Sequence, residues 1–283
     1  MDSRHYVFSF VLRSLSEVPP DFDLPLHLDP LQAGVLLPQS DTDWLGRRKY
    51  PVRVLLLTKR EVVVAAHPTA GEPLTRVPLE RIGSVEHGRI LLLGWITFSW
   101  AGGNVNLPYN TRTGGPVEAY MERFMDRWLP QPPYLHENGC RLIGKPPDLK
   151  FESAQSTELL PGETLLARFF RPASFEVRRL GVFRRTTWRA GDLLAVTARR
   201  LVWITERRKG QYEPYGTVSY SAPLNSIEDL RYSCAEGGGD LEIAVRSGRQ
   251  WRVPFLDGER REVREFETIL RGVLCAKSLN AKH

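Results

Sequence analysis

Two similar stretches constrain the fold of this chain more than any other feature of its sequence. They are Val54 to Ala65 and Asp192 to Glu206, and each places apolar residues on both sides of a short polar turn. This pattern is typical of two short strands joined as a hairpin. Thr58 and Arg60 of the first stretch correspond to Thr197 and Arg199 of the second, 139 residues later in both cases. The sequence therefore predicts a duplicated β-rich unit.

Length and composition agree with two units. The chain has 283 residues, of which 42% are hydrophobic, and this is enough to form two ordinary cores. We predict an N-terminal domain over residues 1–130 with an irregular, proline-rich leading segment. A Pro/Gly-rich linker is expected over residues 131–150, followed by a C-terminal domain over residues 151–283.

Each unit is predicted to end in one amphipathic helix. Apolar residues recur at three- and four-residue intervals near residue 120 and again near residue 270, so they share one face of a helix. The stretch Ile90 to Ala101 is predicted to be a buried strand, with an exposed, partner-binding edge as the alternative. The predicted class is α+β, mainly β with helices. The helical faces comprise Val117, Tyr120, Met121, Phe124, Met125 and Trp128, and then Val263, Phe266, Ile269, Leu270, Val273 and Leu274.

The hairpin Leu193 to Thr205, the following Pro223 to Ile227, an alternating strand pair and a terminal amphipathic helix resemble the bacterial PH-like and GRAM-like domains. The resemblance covers about residues 155–275 and, less closely, 35–129. It implies two tandem PH-like bent β-barrels, each closed by its C-terminal helix. It also implies a binding or scaffold protein rather than an enzyme, because members of such families recognise acidic head groups, peptides or proteins. Leu274 of the second copy departs from the tryptophan that eukaryotic PH domains usually carry there, whereas Trp128 of the first copy matches it.

Charge is unevenly distributed along the chain. Residues 1–140 hold 14 Lys/Arg and 15 Asp/Glu, whereas residues 141–283 hold 25 and 18, so the excess of positive charge belongs to the second half. The stretch from Arg168 to Lys209 has twelve basic residues and three acidic ones. Arginine grips phosphate and carboxylate groups through two parallel hydrogen bonds, which suits a site for anions. The predicted anion-binding residues are Arg178, Arg179, Arg184, Arg185, Arg189, Arg199, Arg200, Arg207, Arg208 and Lys209, with a solvated surface as the alternative.

The partner is expected to be a protein or an acidic membrane surface. Nucleic acid is the second candidate, because aromatic residues near the basic stretch could stack on bases. An enzyme with a site near His136 and Cys140 is the third, although a Pro/Gly-rich stretch gives these residues little support. We predict no cofactor and no metal site, since no histidine or cysteine has a second ligand at metal spacing.

The sequence is expected to belong to a cytoplasmic protein, with peripheral association at a membrane as an option. Its three cysteines are far apart and form no disulfide framework. No signal peptide is recognised, and no apolar run reaches the roughly 18 residues of a membrane-spanning helix. Self-association of the chain is left open.

Overall fold

The computed structural model describes residues 9–25, 27–38, 40–41, 49–90, 93–111, 115–131, 140–180, 183–206 and 216–280. Strands predominate over helices in this part of the chain, which confirms the predicted α+β class. Among the described residues, no helix is both long and apolar enough to cross a membrane.

The described chain forms two compact units. The first unit comprises the described residues of Met1–Ile82, Arg89–Phe98 and Asn104–Leu129. The second comprises those of Pro130–His283 together with two short segments, Gly83–Gly88 and Ser99–Gly103. Assignment of these two segments to the second unit was not predicted from the sequence.

The first half of the chain contains ten strands and one helix in its described residues. The strands are β1 (Phe10–Leu12), β2 (Leu31–Leu37), β3 (Ser40–Asp41), β4 (Lys49–Tyr50), β5 (Arg53–Thr58), β6 (Glu61–Ala66), β7 (Thr75–Pro78), β8 (Ile82–Ile90), β9 (Leu93–Trp100) and β10 (Gly103–Asn110), and the helix is α1 (Gly115–Trp128).

The second half repeats this succession and adds a helix. Its strands are β11 (Arg141–Gly144), β12 (Leu165–Arg171), β13 (Ser174–Leu180), β14 (Phe183–Arg189), β15 (Asp192–Thr197), β16 (Arg200–Glu206), β17 (Gly216–Pro223), β18 (Ile227–Ala235), β19 (Gly238–Val245) and β20 (Gln250–Leu256), and its helices are α2 (Leu149–Glu158) and α3 (Arg260–Asn280). Strand β11 lies inside the stretch predicted to be a linker, and α2 begins there.

Strand pairing follows the same order in both units. The first unit has the order β1-β2-β5-β6-β7, and β11-β12-β15-β16-β17 follow the same order as part of an eight-stranded sheet. The direction of the first strand differs, because β1 is antiparallel to β2 whereas β11 is parallel to β12. In each unit a short two-stranded ribbon, β3–β4 or β13–β14, is inserted at the same point of the chain. The sheets of the described residues do not close into barrels.

The repetition extends to a local irregularity of the sheet. The pairing of β2 with β5 shifts register between Leu31 and Ala33, next to Thr58. The pairing of β12 with β15 shifts between Leu165 and Ala167, next to Thr197. Such β-bulges bend the strand and increase its twist. Two segments that share a bulge at the same position are bent in the same place, which supports the predicted duplication.

Corresponding residues form the cores of the two units. Val54, Leu56, Val63 and Ala65 belong to one cluster of the first unit, together with residues of the leading segment such as Phe22. Their counterparts 139 residues later, Leu193, Ala195, Val202 and Ile204, pack with Phe151 of α2. The same sheet face is therefore covered by irregular chain in the first unit and by a helix in the second.

The predicted apolar helix faces are confirmed. All six predicted residues of α1 are buried, and Phe124 packs against Phe98 with ring centroids 5.0 Å apart. Val263, Phe266 and Leu270 of α3 are buried in the main cluster of the second unit, against which its other predicted residues pack. Trp95, Ile96 and Phe98 are buried, so β9 is a core strand and the exposed-edge alternative is wrong.

Candidate functional site: the arginine ribbon

Strands β13 and β14 bring four of the predicted arginines together. Among the described strands they pair only with each other, as a two-stranded sheet that we call the arginine ribbon (residues 174–180 and 183–189). In its antiparallel register, Arg178 lies opposite Arg185 and Arg179 lies opposite Arg184. The structure describes the backbone of these four residues and not their side chains.

The register places like charges opposite each other twice in succession. Residues directly opposite on an antiparallel pair lie on the same face, and neighbouring positions alternate between faces. Each face of the arginine ribbon therefore carries one pair of arginines. Because opposed like charges destabilise a strand pair, such a ribbon favours a bound anion. Residues 174–189 contain five arginines and one acidic residue, Glu176.

The corresponding ribbon of the first unit lacks this excess of charge. Residues 38–52, between β2 and β5, contain three basic and two acidic residues. Residues 172–191, between β12 and β15, contain five basic and one acidic. The positive charge is therefore a property of the second ribbon and not of the shared fold.

Arg189 is the last residue of β14 in the arginine ribbon. It lies opposite Ser174 and is half-buried. Arg207, Arg208 and Lys209, which were also predicted to bind an anion, lie outside the described residues.

Arg200 does not fit the predicted anion site. Its side chain is 0% exposed and its guanidinium pairs with Glu163 at 2.8 Å. Further hydrogen bonds reach the Ser221 hydroxyl at 3.1 Å and the Glu158 carbonyl. All three nitrogens of this guanidinium donate hydrogen bonds to groups of the protein. Arg200 is therefore a structural residue and not part of a surface that meets a ligand.

Arg199 is also used internally. It is 8% exposed, and its Nε donates to the Pro130 carbonyl at 2.8 Å. Arg171, another member of the basic stretch, pairs with the buried Asp192 and donates to the Pro254 carbonyl at 2.6 Å. The sequence could show the charge of these residues but not their burial. Glu163, the partner of Arg200, lies 37 positions from it in the sequence, and no local pattern reveals such a pair.

The Glu163 carboxylate receives most of its hydrogen bonds from β15, β16 and the turn between them. Burial alone raises the pKa of this carboxyl group, but the hydrogen bond and charge of Arg200 oppose that effect. Hydrogen bonds from the Leu160 N–H at 3.0 Å and the Thr197 hydroxyl at 2.8 Å act in the same direction as Arg200. The pKa of Glu163 is therefore lowered, and the carboxylate stays ionised at neutral pH.

The described residues give no support to an enzymatic site near Cys140. His136 lies outside them. Partial desolvation raises the pKa of the Cys140 thiol, and the charge of Arg168 offsets only part of this effect. A raised thiol pKa reduces the fraction of reactive thiolate at neutral pH. Across the described ranges, no three His, Cys, Asp or Glu residues are grouped as metal ligands.

His87 has a buried position in the second unit. It lies within β8 and is buried, with its Nδ1 3.5 Å from the Glu158 carboxylate. Its backbone carbonyl accepts a hydrogen bond from Ser219 at 3.1 Å. His87 therefore packs against residues of the second unit.

Neither the known family models nor the curated proteins give a match to this sequence. The PH-like and GRAM-like resemblance therefore stays a prediction.

Proposed function

We propose that this protein is a non-enzymatic, PH-like binding protein whose arginine ribbon recognises a surface rich in phosphate groups. The observation that carries the proposal is the register of β13 and β14, which sets Arg178 opposite Arg185 and Arg179 opposite Arg184. Two neighbouring guanidinium groups on one ribbon face can share one phosphate or bridge two. The expected ligand is the anionic face of a membrane, met peripherally.

The charge distribution supports this assignment. Arg171, Arg199 and Arg200 are used inside the second unit, so they add little to its outer surface. The arginine ribbon remains as a compact positive element with one acidic residue in its sequence. Each basic residue near an anionic membrane contributes about 1 kcal/mol to binding. A ribbon with one such pair on each face gives weak, reversible and salt-sensitive attachment.

Nucleic acid is the second candidate ligand. The two-stranded shape of the arginine ribbon is the observation that favours it. The major groove of a DNA duplex accepts a two-stranded antiparallel ribbon. The membrane and the nucleic acid would both bind the same arginines of the arginine ribbon.

The test measures binding of the full chain to three partners: vesicles of phosphatidylcholine, vesicles with added phosphatidylserine, and a DNA duplex of about 20 base pairs. The proposal expects binding to the anionic vesicles, weaker binding to the duplex and none to the neutral vesicles. Binding should decrease as salt increases, because exposed charges are screened. Preference for the duplex would move the assignment to nucleic acid, and absence of binding to either anion would overturn both.

Two double variants test whether the arginine ribbon is the part of the protein that contacts the vesicle. Replacing Arg178 and Arg185 with Gln removes one arginine pair, and about 2 kcal/mol, or roughly 30-fold, should be lost on anionic vesicles. The control replaces Arg123 and Arg127 with Gln, two exposed residues of α1 that remove the same charge. Equal losses in the two variants would show that net charge alone drives binding, and would contradict a role of the arginine ribbon.

A further inference from the structure

The connection between β13 and β14 contains no polar side chain. Leu180 and Phe183 are register partners and form the last pair of the arginine ribbon, which we call its apolar end. Only Gly181 and Val182 stand between them in the sequence, and these two residues lie outside the described part of the chain. Tight hairpin connections usually carry Asn, Asp or Gly. Four consecutive apolar residues at such a position are unfavourable in water, so they indicate a function.

Other hairpins of the same chain turn through charged residues. Lys59 and Arg60 connect β5 to β6, and Glu236 and Gly237 connect β18 to β19. Residues 246–249, which begin and end with arginine, connect β19 to β20. Each of these connections exposes a charged side chain to solvent. The apolar end of the arginine ribbon is therefore a departure from the way in which this protein builds its turns.

The arginine ribbon stands apart from the rest of its unit. Its two strands contact each other along their length, and neither has more than marginal contact with any other element of the described chain. Each strand has seven residues, so the ribbon is about 20 Å long at about 3.3 Å per residue. Ser174 and Arg189, which join it to the unit, are half-buried. The apolar end lies at the opposite end of the ribbon, where a large partner can reach it.

Both arginine pairs follow the apolar end directly. Arg179 and Arg184 are the next register pair, and Arg178 and Arg185 are the one after. At about 3.3 Å per residue, both pairs lie within about 7 Å of the apolar end along the ribbon. An apolar end followed by cations matches the order of layers in an anionic membrane, where acyl chains lie below phosphate groups. Arginine suits the boundary, because its apolar stem can be buried while its guanidinium stays at the polar level.

Neither part of the ribbon is sufficient for stable attachment. The arginine pairs alone give weak binding that salt screens. A short apolar anchor alone is also marginal, and stable attachment to a membrane takes two signals, such as an apolar anchor and a basic patch. The register of β13 and β14 places both signals at one end of one ribbon.

We propose that Leu180 and Phe183 enter the outer acyl-chain region of an anionic membrane while the four arginines bind the phosphate groups above it. The inference rests on the proposed function, because the arginines supply the attraction that brings the apolar end to the membrane. It identifies the ligand as a lipid bilayer, and not as a soluble phosphate compound or a nucleic acid.

The first test replaces the apolar end without changing charge. Leu180→Ser with Phe183→Ser in the full chain should reduce affinity for vesicles of phosphatidylcholine and phosphatidylserine by about tenfold, because two apolar side chains no longer leave water. The salt dependence of binding should stay as in the unmodified protein. Replacement of Arg178 and Arg185 with Gln should reduce both the affinity and its salt dependence, since basic contacts set the salt slope.

The matched control is Val11→Ser with Leu74→Ser, which removes two apolar side chains of the first unit that are 48% and 37% exposed. Its vesicle affinity should equal that of the unmodified protein. An equal affinity in the variant of the apolar end would overturn this inference and leave the proposed function in place. Absence of vesicle binding by the unmodified protein would overturn both. A variant that loses affinity for a DNA duplex and keeps its affinity for vesicles would assign the apolar end to nucleic acid and overturn the membrane inference.

A second measurement uses the unmodified chain and does not depend on how the variants fold. The protein is added beneath a monolayer of the same two lipids, and the surface pressure is recorded. Side chains that enter the acyl layer raise the pressure, whereas a protein held only at the phosphate groups does not. We expect a rise, and we expect glycerophosphoserine, the head group without acyl chains, not to compete with vesicles. An unchanged pressure under conditions of vesicle binding, or competition by the soluble head group, would overturn the inference.

Discussion

The two duplicated hairpins share their turn and differ in the charge of the residue that follows it. In the first, the Thr58 hydroxyl accepts from the N–H groups of Arg60 at 3.3 Å and Glu61 at 3.2 Å. In the second, the Thr197 hydroxyl accepts from Arg199 at 3.1 Å and Arg200 at 3.0 Å. The residue after the turn is thus an acid in one unit and an arginine in the other.

The surroundings of Glu61 and Arg200 differ, and so does the contribution that each charge makes to stability. Glu61, whose side chain is 13% exposed, pairs with Arg76, whose side chain is 44% exposed, so water screens the pair from the arginine side. Arg200 pairs with Glu163, and both side chains are fully buried. The same backbone geometry therefore supports a weak surface ion pair in the first unit and a buried, fully hydrogen-bonded network in the second. The position of a residue in the repeat therefore predicts the turn that it forms. It does not predict whether its charge lies at the surface or in the core.

The largest expected effect comes from breaking the buried pair. Arg200→Met leaves the Glu163 carboxylate buried without its partner, and this should destabilise the protein by about 3–5 kcal/mol. The corresponding change in the first unit, Glu61→Gln, should cost at most about 1 kcal/mol, because the pair it breaks is screened. Urea unfolding of the full chain measures both. Similar small losses in the two variants would contradict the contrast between a buried and a screened pair.

Removal of the turn hydroxyls should give an intermediate effect. Thr197→Val leaves two backbone N–H groups unpaired and removes the hydrogen bond to the Glu163 carboxylate. We expect a loss of about 2–3 kcal/mol, since hydrogen bonds to charged groups are stronger than neutral ones. Thr58→Val disturbs the same turn without a charged acceptor and should cost about 1 kcal/mol. A larger loss for Thr58→Val in urea unfolding would show that the two turns are not equivalent.

The pH dependence of stability distinguishes Glu163 from an ordinary surface acid. Its pKa is lower in the folded protein than the value of about 4.3 for an unfolded glutamate, chiefly because Arg200 outweighs the effect of burial. A lowered folded pKa contributes stability above the unfolded pKa, and this contribution is lost as pH falls through the folded value.

The difference in unfolding free energy between the unmodified protein and Glu163→Gln should therefore be constant between about pH 5 and 7 and decrease below about pH 4.3. The matched control is Glu61→Gln, which should show a smaller difference throughout. A Glu163→Gln difference that increases toward acid pH would reverse the assigned direction of the pKa shift.

The sequence was sufficient to predict the elements that repeat. Both hairpins were predicted from apolar runs around Thr58 and Thr197, and both closing helices from their periodic apolar faces. Helix α2 was missed because only Phe151 and Gln155 of its residues are buried, so it lacks a strong amphipathic pattern. The parallel strand β11 was missed because proline and glycine surround it in the sequence.

The candidate site could be predicted only in part. The register of β13 and β14 brings Arg178, Arg179, Arg184 and Arg185 together as a group. Arg199 and Arg200 were wrongly included, because a basic run in sequence does not reveal which guanidinium groups face a buried acceptor. The contacts among Trp203, Tyr220 and Trp251 were missed for a similar reason, since β16, β17 and β20 meet only through the fold.

The smallest effect on stability is expected where the effect on binding is greatest. Replacement of Arg178, Arg179, Arg184 and Arg185 with Gln removes opposed like charges from an isolated ribbon. The unfolding free energy should change by no more than about 0.5 kcal/mol. This variant therefore separates function from folding.

Binding of this four-residue variant to phosphatidylserine-containing vesicles, measured beside its urea unfolding curve, tests the central claim most directly. The claim is that the second copy differs from the first by an arginine ribbon that binds anions. It predicts that the variant unfolds at the same urea concentration as the unmodified protein and no longer binds the vesicles. Vesicle binding that persists in the folded variant would contradict the claim.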